Sequence, residues 1–291
     1  MRIFVTGATG YIGAAVSEAL VGAGHVVVGL ARSDESAAAL RRSGHEVVRG
    51  DLRAPDALVE PARAADGVVH LAQAGGDDAG AVDREAVDAV LDALDGTAKP
   101  FLYTSGCWIL GDTGEEPADE DRERDPAELV RWRVAVEDGV VDASSRDIRS
   151  VVVRPAIVYG DGGGIPAGLV SEAAETGAVR VVGDGSQEWP MVHRRDLADL
   201  YVRALEAEAG SLYHAAAGPS YRARDVAVVA AVAAGVKPGW SSWPVAEARE
   251  ELGGVADALA LSQRMSAARA RQDLGWAPSA PTLVEELLLS S

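Results

Sequence analysis

The hydrophobic residues of the N-terminal half form short runs, separated by longer segments with helical periodicity. Short apolar runs without polar alternation are typical of strands buried on both faces of a parallel sheet. Strands alternating with helices at this spacing predict an α/β fold with a doubly wound parallel sheet. The predicted strands cover residues 3–5, 25–30, 46–49, 67–72, 99–105 and 148–154, and the clearest helices cover residues 11–20, 81–94 and 126–144.

Glycines at positions 7, 10 and 13 form a G-x-x-G-x-x-G pattern between the first strand and the first helix. Gly7 permits a sharp turn, Gly10 lets a ligand approach the backbone, and Gly13 lets the helix lie against the strand. The N-terminus of the helix offers unpaired N–H groups and a positive dipole end to a pyrophosphate. The pattern therefore predicts a dinucleotide-binding turn; the alternative is a plain tight turn. Its other members are Thr9, Tyr11 and Ile12.

The end of the second predicted strand carries Arg32 and Ser33, where folds of this kind contact the adenosine ribose. An acid at this position favours NAD, whereas a cation favours NADP, so Arg32 indicates NADP and the nearby Asp34 leaves NAD open. The alternative is a solvated arginine followed by a serine that caps a helix. Further predicted cofactor contacts lie at the ends of the third and fourth strands and just beyond them: Asp51, Leu52, Leu71, Ala72 and Gln73.

Beyond residue 160 the elements become shorter and less regular, and Gly162, Gly163, Gly164 and Pro166 mark a break. We therefore expect a nucleotide-binding domain at residues 1–160 with a returning segment at about 192–218. Residues 161–191 and 219–291 are expected to form a smaller substrate-binding lobe, with helices near 267–274 and 283–289. The charge-dense segment 115–125 is predicted to be a solvated loop, with a lid over the substrate as the alternative.

Composition limits the classes of partner. The formal net charge is −18, from 45 acidic and 27 basic residues, which disfavours nucleic acid and anionic membrane surfaces as partners.

The single cysteine, Cys107, permits no intrachain disulfide, and we find no signal peptide or apolar run long enough to span a bilayer. We expect a cytoplasmic protein with a small-molecule substrate and no metal, since no His/Cys/Asp/Glu cluster has ligand spacing. Two lysines against 25 arginines are typical of a GC-rich bacterial genome.

Several ordered stretches carry a family resemblance. They are residues 6–13, 50–52, 103–105, 154–155 with 158–160, 192–193 before Asp196, and 266–276. Together they resemble the short-chain dehydrogenase/reductase superfamily, on its extended or atypical NAD(P)-dependent epimerase/dehydratase side. The resemblance implies a Rossmann-type fold with a C-terminal substrate lobe, bound NAD(P), and action on a carbonyl, an alcohol or a nucleotide sugar. It also implies cofactor contacts from Arg133, Pro155 and Val158.

The usual catalytic pair of that family is absent from this sequence. The family's Tyr-x-x-x-Lys positions carry Leu129 and Arg133, and its usual hydroxyl position carries Gly106. An unperturbed tyrosine is a poor base at neutral pH without a nearby cation, so the ordinary proton relay is lost. The candidate catalytic residues are Ser105 and Thr104, which could polarise a substrate oxygen or simply end the strand, and Tyr159, which could act as an acid or pack under the lobe.

Four residues are candidates for substrate contact: Trp108, Tyr159, Trp189 and His193. His193 could relay a proton because its ordinary pKa suits that role, or it could tie two loops together. Tryptophans of the lobe are expected to pack in its core rather than face substrate. Cys107 is predicted to be buried and unreactive.

The leading hypothesis is an NADP(H)-dependent oxidoreductase of a small carbonyl or alcohol, in secondary metabolism, with a non-standard proton donor. One alternative is a cofactor-bound isomerase, lyase, cyclase or epimerase without net redox chemistry. Another is a non-catalytic NADP-sensing protein. A homodimer is expected through the apolar faces of the helices at 81–95 and 126–144.

Overall fold

The computed structural model describes residues 1–289, and Ser290 and Ser291 lie outside the described residues. The strands are β1 Arg2–Thr6, β2 Val26–Ala31, β3 Glu46–Arg49, β4 Gly67–His70, β5 Pro100–Thr104, β6 Arg149–Pro155, β7 Ile157–Tyr159, β8 Arg180–Val182, β9 Glu188–Trp189, β10 Met191–His193, β11 Ser211–Ala215, β12 Tyr221–Arg222 and β13 Ser241–Trp243. The helices are α1 Tyr11–Gly22, α2 Asp34–Arg42, α3 Asp56–Ala64, α4 Ala79–Leu94, α5 Arg133–Asp142, α6 Gly164–Thr176, α7 Arg194–Ala204, α8 Ala223–Ala233, α9 Val245–Leu252, α10 Val255–Leu259, α11 Ala268–Leu274 and α12 Leu283–Leu289.

The main sheet has seven strands in the order β11-β6-β5-β4-β1-β2-β3. The pairs from β3 through to β6 are parallel, and β1 is flanked by β2 on one side and β4 on the other. The strand order therefore reverses at β1, which is where doubly wound sheets form a crevice at the carboxyl ends of their strands. The predicted doubly wound, Rossmann-type α/β fold is confirmed.

The strands of this sheet read as continuous apolar runs because both of their faces are covered. Ile3, Phe4 and Val5 of β1 are fully buried, and so are Phe101 and Leu102 of β5. A strand with one solvated face would show a polar residue at every second position. The predicted strand positions agree closely with the observed ones because this burial is encoded locally.

The clustering of contacts divides the chain into two compact units. The first unit comprises Met1–Ser105, Ala135–Val153 and Ala198–Tyr213, and the second comprises Gly106–Val134, Arg154–Leu197 and His214–Ser291. Compared with the predicted domain at 1–160, residues 106–134 group with the second unit. The amide of Gln263 explains part of this grouping, since it donates to the carbonyls of Cys107 at 2.8 Å and Gly111 at 2.9 Å.

The second unit contains three two-stranded sheets: β7 with β10, β8 with β13 and β9 with β12. Trp189, Trp243 and Trp276 are buried within it, and the indole N–H of Trp276 donates to the Asp196 carbonyl at 2.8 Å. These tryptophans pack as core residues. Val192 and His193 lie in β10, which pairs with β7, so the strand that returns to the main sheet is β11.

The helix predicted at residues 126–144 is broken. A 3-10 turn covers Glu128–Val130, α5 starts at Arg133, and a second 3-10 turn follows α5. The indole N–H of Trp132 donates to the Leu129 carbonyl at 3.2 Å, and so occupies the acceptor that a continuous helix would offer to the Arg133 N–H. The prediction of one continuous helix over residues 126–144 was therefore wrong.

The apolar face of α4 is used inside the first unit. The five residues from which this face was predicted are all buried: Val82, Val87, Val90, Leu91 and Leu94. One of the two helix faces on which the expected homodimer rested is therefore already covered, and the homodimer stays a prediction. Within residues 1–289, no helix is both long and apolar enough to span a membrane.

We predict opposite effects for two glycine substitutions in α1. A Cβ at Gly13 would stand 2.0 Å from the Gly7 carbonyl oxygen, so Gly13→Ala should destabilise the fold by about 1–3 kcal/mol. A Cβ at Gly22 meets nothing within 4 Å, so Gly22→Ala should be neutral or stabilise by up to ~1 kcal/mol. Urea unfolding measures both free energies, and equal effects of the two substitutions would contradict the close packing of α1 on the turn.

Candidate functional site

A cleft of about 540 Å³ lies in the first unit at the carboxyl ends of the central strands. Ten of the residues predicted to bind cofactor line it: Gly7, Thr9, Gly10, Arg32, Ser33, Asp51, Leu52, Leu71, Ala72 and Gln73. Six further residues complete the lining: Leu30, Ser36, Gly50, Arg53, Ala74 and Gly75. The predicted residues Tyr11, Ile12 and Gly13 form the first turn of α1.

The glycine-rich turn forms one wall of the cleft. Gly7 has a φ of +72°, and a Cβ there would lie 2.7 Å from the Ala72 nitrogen. The Gly10 N–H donates to the Gly7 carbonyl at 2.9 Å, and Gly10 stands at the N-cap of α1 with no side chain to cap the helix. The helix N-terminus therefore faces the cleft without a capping group or an acid in its first turn, which fits a bound pyrophosphate.

The end of β2 supplies a cation to the same cleft. Ser33 caps α2, because its hydroxyl accepts from the Ser36 N–H at 3.1 Å and the Ser36 hydroxyl bonds back. Arg32 makes no hydrogen bond or ion pair with residues 1–289, while Asp34 pairs with Arg49. At the end of β2, the exposed guanidinium of Arg32 is thus the charged group without a partner among residues 1–289. Asp34, the acid that favoured NAD as an alternative, is paired with Arg49.

The loops after β3 and β4 form facing walls farther along the cleft. Asp51 accepts from the Arg53 N–H at 3.0 Å. The Arg53 guanidinium binds both carboxylate oxygens of Asp78, at 2.5 and 2.9 Å, and the Gly75 carbonyl at 2.9 Å. This pairing holds the pKa of Asp78 below its usual range. Arg53 was missed in the sequence, where its position two residues after Asp51 was the available signal.

A buried polar network supports the turn from below. The Thr6 hydroxyl oxygen accepts from the N–H groups of Leu71 and Ala72, each at 3.2 Å, and lies 3.1 Å from Nδ1 of His70. Nε2 of His70 is 3.2 Å from the Asp83 carboxylate. The Asp83 carboxylate also accepts from the Tyr103 hydroxyl at 2.8 Å. The network joins the ends of β1, β4 and β5, and no local sequence motif announces it.

Ser105 ends the first segment of this unit, directly after β5. Its N–H donates to the Val153 carbonyl at 2.8 Å, which fixes the backbone. Its hydroxyl is buried and has no hydrogen-bond partner among residues 1–289. The Thr104 hydroxyl instead lies 2.6 Å from the hydroxyl of buried Tyr201. Of the two predicted oxygen-polarising residues, Ser105 is thus the one whose hydroxyl has no protein partner among residues 1–289.

The predicted cofactor residues of the second unit are Arg133, Pro155 and Val158. Arg133 is 8% exposed, and its guanidinium carbon lies 4.4 Å from the centre of the Trp132 ring. Pro155 ends β6, and Val158 lies in β7 beside β10. Their cofactor contacts stay predictions, because they rest on the family resemblance.

The predicted substrate residues also belong to the second unit. Trp108 is half-buried in a 3-10 turn, and the indole N–H of Trp189 donates to the Leu259 carbonyl at 3.1 Å. The Tyr159 hydroxyl donates to the Pro281 carbonyl at 2.8 Å, and burial raises the pKa of this phenol. His193 is fully buried at 5.2 Å from the Tyr159 ring. The acid role of Tyr159 gains no support from this geometry, which matches the packing alternative.

Asp161, His193 and Glu286 bring three potential ligand atoms within 4.8 Å of one another, a grouping that sequence spacing could not reveal. Nδ1 of His193 accepts from the Arg195 N–H at 3.1 Å, so the neutral ring carries its proton on Nε2, the atom facing Glu286. Asp161 pairs with Arg195. These contacts suit an ion-paired cluster rather than a bound cation.

Comparison with known proteins places these features in a family. A sequence model of the NAD dependent epimerase/dehydratase family matches residues 3–216. The chain belongs to this family. It is 34% identical over 298 residues to an uncharacterized protein of Schizosaccharomyces pombe, covering 99% of this chain and 98% of that protein. The resemblance found in the sequence motifs is confirmed.

Two further relatives carry names. A 2-alkyl-3-oxoalkanoate reductase of Stenotrophomonas maltophilia is 29% identical over 236 residues, covering 76% of this chain and 69% of that protein. The structure of Thermus thermophilus UDP-glucose 4-epimerase in complex with NAD matches with a TM-score of 0.80 at 24% identity, covering 99% of this chain and 97% of that one. The protein is an enzyme of this NAD(P)-dependent kind, which disfavours the non-catalytic alternative.

The residues expected at the family's catalytic positions belong to the second unit. Leu129, at the expected tyrosine position, is 41% exposed in the 3-10 turn, and Arg133 is stacked on Trp132. Gly106 stands at the expected hydroxyl position. Ser105, directly after β5, is the predicted catalytic residue whose hydroxyl has no partner among residues 1–289.

We predict that Cys107 is unreactive in the folded enzyme. Burial raises the pKa of its thiol to about 12, and the thiolate is the reactive form. Ellman's reagent at about pH 8 should label the native protein negligibly and the guanidinium-unfolded protein fully. The Ser43→Cys variant, which adds a thiol at an exposed position, gives the rate of an accessible cysteine. Native labelling of Cys107 at that rate would contradict its burial.

Proposed function

We propose that the protein is an NADP(H)-dependent reductase or dehydrogenase of a small carbonyl or alcohol. The observation that carries this proposal is the buried Ser105 hydroxyl, which lies directly after β5 and has no hydrogen-bond partner among residues 1–289. The similarity to a 2-alkyl-3-oxoalkanoate reductase supports carbonyl chemistry. The proposal includes a role in secondary metabolism.

The residues of the cleft would hold the cofactor in a defined orientation. The turn from Gly7 to Gly10 and the N-terminus of α1 suit the pyrophosphate. Arg32, which has no partner among residues 1–289, suits a 2′-phosphate, and this supports NADP over NAD. When bound, the nicotinamide ring supplies a hydride donor or acceptor.

Ser105 would donate a hydrogen bond to the substrate oxygen. The Ser105 backbone is fixed by its bond to Val153, and the hydroxyl can turn toward negative charge that develops on that oxygen without breaking another protein hydrogen bond. Thr104 would position Ser105 rather than contact substrate, because its hydroxyl is bonded to Tyr201. Reduction of a carbonyl consumes one hydride and one proton. Since Tyr159 is bonded to Pro281, the proton would come from water through the Ser105 hydroxyl.

A second candidate is an epimerase or another isomerase, lyase or cyclase without net redox chemistry. The absence of the Tyr-x-x-x-Lys pair and the structural similarity to UDP-glucose 4-epimerase favour it. A product of the same mass as the substrate, formed without net change in NADPH absorbance, would support this candidate over the reductase.

We predict that Arg32 sets the preference for NADPH. One charge-assisted contact is worth ~1.5–3 kcal/mol, and because this arginine is exposed we expect the low end, so Arg32→Ala should weaken NADPH binding roughly 10-fold. Binding of NADH should change little. Fluorescence titration gives both dissociation constants, and Arg42→Ala, on the far end of α2, is the matched control. Equal losses for NADPH and NADH would refute the assignment.

We predict that Ser105→Ala lowers turnover and leaves cofactor affinity unchanged. Loss of one pre-organised donor to a developing oxyanion typically lowers kcat by ~100- to 1000-fold. The measurement is NADPH oxidation with a panel of ketones, aldehydes and imines, alongside the NADPH dissociation constant. Thr104→Ser keeps the hydroxyl that reaches Tyr201 and is the matched control. Bound NADPH that no substrate of the panel oxidises would count against the reductase.

A further inference from the structure

An ion pair between Arg53 and Asp78 joins the loops after β3 and β4, outside the residues of the proposed chemistry. Arg53 comes from the loop after β3, and its guanidinium binds three acceptors in the loop after β4. These are the two carboxylate oxygens of Asp78, at 2.5 and 2.9 Å, and the Gly75 carbonyl, at 2.9 Å. One side chain therefore joins the two loops that face each other across the cleft.

The loop after β4 is shaped to reach this guanidinium. Gly76 has a φ of +99°, a conformation that other residues rarely adopt, and the turn brings Gly75 and Asp78 to the same side. Asp78 occupies the N-cap position of α4, where an aspartate normally accepts from a first-turn N–H. Its side chain makes no capping bond and is bonded to Arg53 instead.

Residues of both loops line the space where an adenine dinucleotide would lie. Gly50, Asp51, Leu52 and Arg53 line it from one side, and the stretch from Leu71 to Gly75 lines it from the other. Asp78 does not belong to the lining. A contact that ties these walls together restricts their separation.

We propose that Arg53 and Asp78 form a latch that must open for the adenosine half of the dinucleotide to bind and to leave. The proposal rests on the proposed cofactor. Because the pair joins two protein side chains and includes no cofactor group, we expect the latch to stabilise the free and the cofactor-bound protein equally. Its loss therefore lowers the barrier to binding and to release together, and leaves the dissociation constant nearly unchanged.

The latch is sensitive to salt, since both side chains are about half exposed, at 46% and 56%. Ions screen exposed pairs strongly, so raised ionic strength should open the wild-type latch and leave a variant without it unaffected. An exposed pair of this kind contributes enough to change an opening equilibrium by about two- to fivefold.

The test compares three substitutions. Arg53→Gln and Asp78→Asn each break the latch, and Asp78→Asn does so without changing a residue of the cleft wall. Arg146→Gln is the matched control, because Arg146 pairs with Asp92 and Asp95 near the other end of α4, with carboxylate distances of 3.0 and 3.2 Å.

The first measurement is amide hydrogen exchange of residues 71–78 in the ligand-free protein. Both latch variants should exchange about two- to fivefold faster than the wild type, and the Arg146→Gln control should match the wild type. Added salt should accelerate exchange in the wild type and not in the latch variants. Unchanged exchange in both latch variants would overturn the latch.

The second measurement is stopped-flow binding and release of NADPH. Association and dissociation rate constants should rise together in Arg53→Gln and in Asp78→Asn. A faster dissociation in Arg53→Gln alone, with weaker affinity and a silent Asp78→Asn, would make Arg53 a direct cofactor ligand and overturn the gating role. Failure of the wild type to bind NADPH would overturn the proposed cofactor, whereas intact binding with unchanged rates would overturn the latch alone.

Discussion

The close approach of two backbones at the crevice of the sheet is the constraint on which the rest of the first unit depends. The turn after β1 passes so near the loop after β4 that a Cβ at Gly7 would lie 2.7 Å from the Ala72 nitrogen. The same turn meets α1 so closely that a Cβ at Gly13 would reach the Gly7 carbonyl. Backbone that passes this close can present its N–H groups to a pyrophosphate, and it leaves no room for a side chain.

The buried hydrogen-bond network under this turn stabilises the close approach of the turn after β1 to the loop after β4. The Thr6 hydroxyl accepts from the N–H groups of Leu71 and Ala72 in the loop after β4, and His70 links Thr6 to Asp83. A buried carboxylate is costly unless it is bonded, and Asp83 is bonded by both His70 and Tyr103. Because Tyr103 lies two residues before Ser105, the network joins the cofactor wall to the strand that carries the proposed donor.

The proposed chemistry follows from the residues at the family's expected Tyr-x-x-x-Lys positions, which are Leu129 and Arg133. With Leu129 exposed and Arg133 stacked on Trp132, the described residues present no tyrosine–lysine relay at the family's positions. In the proposed function, Ser105 contacts the substrate because its hydroxyl has no partner among residues 1–289, and Thr104 has a positioning role because its hydroxyl is bonded to Tyr201. The proposal therefore combines the predicted cofactor cleft with a proton donor other than the family's tyrosine.

The sequence by itself determined the doubly wound sheet, the glycine turn and most of the cleft, because apolar runs and glycine spacing are local signals. It also showed that the Tyr-x-x-x-Lys pair is missing. Only the tertiary structure decided that Arg32 has no partner in residues 1–289, that Tyr159 is bonded to Pro281, and that Arg53 reaches Asp78. It likewise showed the break before α5 and the burial of the α4 face. Each of these contacts depends on the packing of elements that are far apart in the chain. The local sequence pattern around a side chain therefore does not identify its partner.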